Sequence, residues 1–254
     1  MKNLIFIFLL IPFYIFSSID LQPYEKKIFS QNGEDGITIK LLELIGYTNK
    51  YFVEFGTADG FECNTKVLWQ NFGFKGLLMD GSNANDTINL KQEFITAENI
   101  NNLFYKYNVP KEFDVLSIDI DFNDFYVWNA LKNYSPRIVI IEYNAVHLPH
   151  EDKVVVYDST HMWDLCDYFG ASILAYRKLG NLKGYTLVYA DNNGVNLFFV
   201  RSDILKRKRL VFKDQDDEIA LYKPARYTFP GKGSYGHLED PQKRPWISSD
   251  EALK

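Results

Sequence analysis

The stretch Tyr51–Gly60, YFVEFGTADG, is a β-rich apolar run that ends in a turn containing two glycines. Its first half is apolar or aromatic except for Glu54, which is typical of a strand buried on both faces of a parallel sheet. Gly56 and Gly60 let the backbone turn sharply and approach a ligand with no Cβ in the way. The next residues, Cys63–Trp69, predict a helix. This pattern fits either a ligand-binding turn or a tight strand-to-helix connection without a ligand.

A second apolar run, Gly76–Met79, ends in Asp80. Asp80 follows the glycine turn by about 20 residues, the distance at which a doubly wound fold places a carboxylate for ribose hydroxyls. The spacing therefore favours the ligand-binding interpretation of the turn.

Two later apolar runs also end in acidic residues. Phe113–Ile118 is followed by Asp119 and Asp121, and Arg137–Ile141 is followed by Glu142. Ligands of such sheets bind outside the carboxyl ends of the strands, so we expect the three carboxylates to converge there. Three close carboxylates repel one another unless protons or a cation intervene. A magnesium or calcium site, a general base and simple polar strand ends all remain open.

The last two predicted strands, Gly184–Tyr189 and Val195–Val200, are joined by a turn containing Asn193-Gly194, a strong hairpin signal. Phe94–Thr96 is expected to be a short third strand. Because strands and helices alternate, the sequence predicts an α/β fold with a single Rossmann-like doubly wound sheet, mostly parallel with a C-terminal antiparallel β-hairpin.

The chain resembles the class I S-adenosylmethionine-dependent methyltransferases, and most of all their FkbM-like group. The resemblance extends over about residues 28–204 and depends on five motifs: Ser30–Asp35, Val53–Gly56, Gly76–Asp80, Ser117–Asp121 and Ile140–Asn144. It implies the class I methyltransferase fold, of which the terminal hairpin is typical, and S-adenosyl-L-methionine as cofactor.

The resemblance also implies roles for individual residues. The cofactor-binding set would be Glu54, Gly56, Gly60, Asp80 and Gln31. In that set the glycine turn would hold the amino-acid end of the cofactor, Asp80 would accept both ribose hydroxyls, and Gln31 would lie near the mouth of the site.

The same resemblance makes Asp119, Asp121 and Glu142 the catalytic candidates, and Mg²⁺ their possible ligand. The expected reaction is O-methylation of a hydroxyl on a small molecule or a glycan. Relatives often have a glycine where this chain has Phe122, so we expect a pocket of different shape.

Composition excludes several other functions. A net charge of -5 argues against a nucleic-acid partner. The basic run Lys206–Arg209 is followed by the acidic run Asp214–Glu218, which predicts a solvated and locally compensated surface. Two cysteines, Cys63 and Cys166, provide neither a disulfide framework nor a zinc site. They are expected to be buried thiols, although pairing in an oxidising compartment stays open.

The N-terminus has the pattern of a secretory leader. Lys2 precedes the apolar run Leu4–Phe16, and Ser17 and Ser18 follow it. The run is shorter than the roughly 20 residues that a spanning helix needs. We therefore predict a signal peptide or signal anchor over 1–20, a methyltransferase-like domain over 21–210, and an irregular tail over 211–254 that packs on the domain. The protein would enter the secretory pathway and be secreted or membrane-anchored, with possible attachment through residues 4–16.

Two other functions are weighed against methyl transfer. Because S-adenosylmethionine is made in the cytosol, a secreted chain is also consistent with a catalytically inactive binding module that keeps the fold. A nicotinamide-linked oxidoreductase is disfavoured by the glycine spacing and by the hairpin. The pair His147 and His150 suggests a metal less than a mobile, substrate-facing loop, because Pro149 lies between them.

Overall fold

A sheet of seven strands crosses the protein, and the predicted site residues lie at or just beyond the carboxyl ends of its parallel strands, except Gln31, which precedes the first α-helix. The computed structural model describes residues 18–228 and 232–254. The strands of this sheet are β1 Tyr51–Phe55, β2 Lys75–Asp80, β3 Leu90–Gln92, β4 Glu112–Ile118, β5 Ser135–Glu142, β7 Tyr185–Ala190 and β8 Asn196–Arg201. A separate two-stranded sheet pairs β6 Val154–Val155 with β9 Trp246–Ile247.

The strand order is β3-β2-β1-β4-β5-β8-β7. The first five strands are mutually parallel, whereas β8 runs antiparallel to both β5 and β7. The hairpin therefore inserts its second strand next to β5. This order confirms the predicted mostly parallel doubly wound sheet with a terminal antiparallel hairpin, the class I methyltransferase fold.

Helices cover both faces of the sheet. They are α1 Glu34–Ile45, α2 Lys66–Asn71, α3 Ile100–Lys106, α4 Asp124–Ala130, α5 Ile173–Leu182, α6 Ser202–Lys208, α7 Glu218–Leu221 and α8 Ser249–Ala252. Helices α1, α2 and α6 pack on one face, and α3, α4 and α5 pack on the other.

Strand alternation explains the two cores. One row of paired residues across the sheet faces α1, α2 and α6: Phe52, Val115, Ile138 and Val200. The next row faces α3, α4 and α5: Val53, Leu116, Val139 and Phe199. All eight side chains are buried. With both faces covered, the edge formed by the carboxyl ends of the parallel strands is where a ligand can enter.

The third strand was predicted in the wrong place. It is β3, Leu90–Gln92, and Phe94–Thr96 has left the sheet. The reason is local, because Thr96 and Asn99 exchange hydrogen bonds at the start of α3: Thr96 N donates to Asn99 Oδ1 at 2.9 Å, and Asn99 N to Thr96 Oγ1 at 3.3 Å. This capping arrangement competes with strand pairing.

Two sequence predictions concern the ends of the chain: the leader over 1–20 and the irregular tail over 211–254. The leader prediction falls mainly on residues 1–17, which lie outside the described residues. No helix within 18–228 and 232–254 is long and apolar enough to cross a membrane. The region 211–254 is largely irregular in its described part, but it contains α7, β9 and α8, and Trp246 packs on Tyr168 with ring centroids 4.8 Å apart.

Candidate active site

The glycine turn after β1 packs directly against the end of β4. Gly56 has φ +76°, and a Cβ added there would lie 1.3 Å from the carbonyl oxygen of Asp119. Gly60 has φ +81°, and its Cβ would lie 2.5 Å from Ile88 Cδ1. Both positions favour glycine for their positive φ, and Gly56 also needs it for space, whereas Ile88 Cδ1 beside Gly60 is the mobile end of a side chain. At Gly56 the close neighbour is protein backbone, so this glycine first of all brings β1 and β4 together.

Glu54 fixes the connection between β1 and α2. Its carboxylate accepts hydrogen bonds from the amides of Asn64 at 2.7 Å and Thr65 at 2.9 Å, and from the Thr65 hydroxyl. Burial raises the pKa of Glu54 to about 7, against the effect of these donors. Thr65 precedes α2, but its side chain faces Glu54 and does not cap the helix. Glu54 therefore acts first as a structural support of the turn.

Asp80 has a similar supporting role at the end of β2. Its Oδ1 accepts from Ser82 N at 2.8 Å, Asn83 N at 2.9 Å and Asn83 Nδ2 at 2.9 Å, and its Oδ2 accepts from Ala58 N at 2.9 Å. A carboxylate has about four acceptor positions in all. Most of that capacity is used here, so the expected pairing of Asp80 with both ribose hydroxyls is restricted to Oδ2.

Two cavities flank the glycine turn, and Gly56 lines both of them. The first has a volume of about 320 Å³ and is lined by Asp80, Phe94, Ile95, Asp121 and Trp163, among others. The second has a volume of about 330 Å³. The site is therefore a cleft in two halves that meet at the glycine turn.

The second cavity is strongly acidic. The residues on its wall include five carboxylates, Glu34, Glu54, Asp59, Glu62 and Asp119, and no lysine or arginine among the residues that the structure describes. Lys27 pairs with Glu62 from beside the wall, at 3.4 Å. Gln31, Asn64 and Asn196 add neutral polar groups. A ligand of this half of the cleft should carry positive charge or hydrogen-bond donors.

Asp119, Asp121 and Glu142 converge as the sequence predicted. One carboxylate oxygen of each lies within 4.8 Å of the others. Asp119 and Glu142 are partly buried, and Asp121 is exposed. Asp121 also has φ +63°, an uncommon conformation for a residue other than glycine. Asp119 lines the acidic cavity and Asp121 lines the other, so these two residues bridge the halves. Glu142 is on the wall of neither cavity but lies beside both carboxylates, and we call the three residues the carboxylate trio.

The negative charges of the trio are unfavourable where they lie, because the carboxylates are partly removed from water and repel one another. Burial, followed by the charge of Asp121, raises the pKa of Asp119 well above its usual range. Burial, followed by the charge of Asp119, raises the pKa of Glu142 in the same way. At neutral pH these carboxylates favour shared protons, or a cation that replaces them. The donor set, three carboxylates with converging oxygens, fits a hard divalent cation such as Mg²⁺.

A third, open groove continues from the first cavity. It has a volume of about 540 Å³ and shares Phe122 and His161 with that cavity. The rings of Phe122 and His161 are in contact, with centroids 4.0 Å apart and planes tilted by 40°. The opposite wall is Tyr168 with Arg244 of the C-terminal region, whose guanidinium lies 4.3 Å from the centre of the Tyr168 ring.

Sequence reasoning missed this part of the site. Helix α5 begins at Ile173, and the loop residues His161, Met162 and Trp163 before it line the first cavity. Phe94 and Ile95 line it because they have left the sheet. These are loop residues with no periodic signal. The aromatic content of the stretch from Tyr157 to Phe169 is the one feature that could have drawn attention to it.

The two histidines and two cysteines singled out in the sequence do not belong to the site. His147 is buried against Trp246, with ring centroids 4.2 Å apart, and burial lowers its pKa to about 4. His150 is exposed and does not belong to the trio. Cys63 and Cys166 are both free and buried, and burial raises the pKa of each thiol.

Comparison with known proteins adds little to this geometry. No family model matches the chain, and no curated protein matches it. Among solved structures, the chain is similar to an O-methyltransferase family protein from Burkholderia thailandensis, with 9% sequence identity and a TM-score of 0.38. The alignment covers 66% of this chain and 57% of that one. A likeness this distant carries no argument about activity, and the FkbM-like resemblance stays a prediction.

Proposed function

We propose that this protein is an S-adenosylmethionine-dependent methyltransferase that transfers the methyl group to a hydroxyl oxygen. The observation that carries the proposal is the two-part cleft at the carboxyl ends of β1, β2 and β4, with the carboxylate trio at its junction. An elongated cofactor fits such a cleft. Its adenosine would occupy the cavity next to Asp80, and its amino-acid end the acidic cavity.

The charge of the cofactor supports this orientation. S-adenosylmethionine carries a positive sulfonium and a positive ammonium against one carboxylate, so its net charge is positive. The acidic cavity offers carboxylates for the ammonium, and Gln31 and Asn64 are neutral side chains with amide donors for the cofactor carboxylate. The sulfonium would then lie near Gly56, where Asp119 and Asp121 face the two halves.

The trio has two candidate roles. As ligands of Mg²⁺, the three carboxylates would hold the ion where it lowers the pKa of an acceptor hydroxyl. Without a metal, Asp119 or Glu142 would accept the hydroxyl proton, since burial raises the pKa of both carboxyl groups and so makes their carboxylates stronger bases. In both cases the geometry supplies most of the rate by aligning the oxygen with the methyl group.

The acceptor would enter through the open groove. It borders the first cavity at Phe122 and His161, and its wall combines the rings of Tyr157 and Tyr168 with polar Asp158 and Ser159. Aromatic faces with a few hydrogen-bonding groups suit the hydroxylated ring of a small molecule or a glycan. Phe122 lies at the junction of the groove and the first cavity, where its ring limits the acceptors that can reach the cleft.

Calorimetric titration of the full chain with S-adenosylmethionine and S-adenosylhomocysteine tests the proposal. We expect micromolar binding by the wild type and at least about tenfold weaker binding by Asp80→Ala. This substitution removes the acceptor of the Ala58 N hydrogen bond and the acceptor position on Oδ2 that remains for a ribose hydroxyl. Asp86→Ala is the matched control, because Asp86 is an exposed carboxylate outside both cavities, paired with Lys91.

The inactive binding module is the competing outcome. A folded wild type that binds neither compound would overturn the methyltransferase proposal and favour that module. Equal losses in Asp80→Ala and Asp86→Ala would leave binding in place but contradict the assigned position of the adenosine.

A further inference from the structure

Two side chains on the wall of the acidic cavity keep a buried oxygen without a partner. Thr57 is 4% exposed and Asn196 is 3% exposed, and both line that cavity. Neither Thr57 Oγ1 nor Asn196 Oδ1 has a hydrogen-bond partner among the described residues. Buried polar atoms are usually paired, because leaving one unpaired costs free energy. The two oxygens therefore point to a ligand that donates hydrogen bonds in this half of the cleft.

The orientation of the Asn196 amide follows from its neighbour Glu34. Asn196 Nδ2 donates to Glu34 Oε1 at 2.9 Å. Glu34 also accepts from the backbone amides of Asn32 at 2.8 Å and Gly33 at 2.9 Å, which hold its carboxylate in place. Because a carboxylate only accepts hydrogen bonds, the nitrogen of the Asn196 amide has to face Glu34. The amide therefore presents its oxygen, an acceptor, to the ligand.

Two carboxylates of the same wall are already occupied by donors from the protein. Glu34 accepts hydrogen bonds on both of its oxygens, and so does Glu54. The charge of the wall still attracts a cation into the cavity. A cationic donor drawn there would find its direct partners in the oxygens that remain free, among them Asn196 Oδ1 and Thr57 Oγ1.

The terminal hairpin brings Asn196 next to the carboxylate trio. Asn196 is the first residue of β8 and pairs with Glu142 of β5 in the antiparallel ladder. Residues directly opposite each other in such a ladder direct their side chains to the same face of the sheet, with Cβ atoms about 5 Å apart. Asn196 therefore joins the wall of the acidic cavity to Glu142.

We infer that Asn196 Oδ1 and Thr57 Oγ1 accept hydrogen bonds from the α-ammonium of the cofactor. An ammonium has three N–H donors and no acceptor, so it matches a wall that combines negative charge with free acceptor oxygens. The cofactor carboxylate, which needs donors, is excluded from this position. The inference rests on the proposed methyltransferase function and adds to it the residues that recognise one charged group of the cofactor.

Calorimetric titration of the full chain with S-adenosylhomocysteine and with its deaminated analogue tests the inference. In the analogue a hydrogen replaces the ammonium, and the rest of the compound is the same. We expect the wild type to bind S-adenosylhomocysteine at least about tenfold more tightly than the analogue, since hydrogen bonds to charged groups are strong. Asn196→Leu and Thr57→Val should each weaken the binding of S-adenosylhomocysteine by at least about fivefold and leave the binding of the analogue unchanged.

Thr38→Val is the matched control for Thr57→Val. Thr38 is also buried, and its hydroxyl oxygen has no partner among the described residues, but it lines neither cavity. This variant should bind both compounds as the wild type does. Thr57→Val removes no side-chain hydrogen bond within the described part of the chain, so it keeps the test valid if Asn196→Leu, which takes a donor from Glu34, fails to fold.

The outcomes separate this inference from the methyltransferase proposal. Equal losses for the two compounds in Thr57→Val would overturn the inference, because the effect would then not depend on the ammonium. So would a wild type that binds the two compounds equally tightly, or a Thr38→Val variant that loses as much as Thr57→Val. In these cases the methyltransferase proposal stands, whereas a folded wild type that binds neither compound would overturn both.

Discussion

Two groups of carboxylates lie within the same cleft and differ in what surrounds them. Glu54 and Asp80 each accept several hydrogen bonds from backbone amides and neighbouring side chains. The trio of Asp119, Asp121 and Glu142 has no amide donor among the described residues, and other carboxylates lie close to each of its members. A carboxylate that is fully hydrogen-bonded holds a loop, whereas one left with repelling neighbours is available for a proton, a metal or a cationic ligand.

This difference predicts that replacing Glu54 lowers the free energy of unfolding, whereas replacing Asp119 does not. The effect at Glu54 is the largest that we expect. Glu54→Ala should lower the free energy of unfolding by about 3–5 kcal/mol, because it leaves the buried amides of Asn64 and Thr65 without an acceptor. Asp119→Asn should leave stability unchanged or raise it, because one source of repulsion is removed. Urea unfolding of both variants measures the difference. Similar destabilisation of the two would erase the distinction between the groups.

The buried carboxyl groups also make the free energy of unfolding depend on pH. Burial raises the pKa values of Glu54, Asp124 and Asp191 to about 7 each, well above those of the unfolded chain. The folded state therefore binds more protons than the unfolded state between about pH 4 and pH 7. Stability from these groups is complete below pH 4 and is lost as pH rises through 7.

We expect the free energy of unfolding to fall by several kcal/mol between about pH 5 and pH 8, since each of the three groups contributes a loss on the order of 3 kcal/mol over this range. Denaturant unfolding across that range, in buffer with a chelator, measures it. The chelator matters because a cation on the trio would oppose the trend. Stability that rises with pH over this range would contradict the assigned burial of these carboxyl groups.

A smaller effect on stability distinguishes the two candidate roles of the trio, ligand of Mg²⁺ and general base. If Mg²⁺ binds there, millimolar Mg²⁺ at about pH 8 should stabilise the wild type by about 1–3 kcal/mol, according to its concentration relative to Kd. Glu142→Gln should abolish this gain, and Asp203→Asn, which changes an exposed carboxylate paired with Arg201, should keep it. Thermal unfolding with and without Mg²⁺ provides the readout. An unchanged wild type would leave the general base as the role of the trio.

Sequence predicted the framework of the site well because β2, β4 and β5 are apolar runs that end in an acid or are followed by one. Asp119 and Glu142 could be placed together since they follow β4 and β5, which are neighbours in the sheet. The parts it could not predict depend on tertiary contacts. The hydrogen bonds that occupy Asp80 come from loops, and His161 reaches the cleft only through a segment without periodicity. Phe94–Thr96 was assigned to a strand because its β-propensity hides the competing cap at Asn99.

The central claim is that the trio serves a cationic ligand at the junction of the cleft. The most direct test is calorimetric titration of the wild type and Asp119→Asn with S-adenosylmethionine and S-adenosylhomocysteine, which differ in charge at the sulfur. We predict that Asp119→Asn weakens the binding of S-adenosylmethionine by about tenfold, equivalent to about 1.4 kcal/mol. The binding of S-adenosylhomocysteine should be weakened much less. Equal effects on the two compounds, or no binding of either by the folded wild type, would contradict the account.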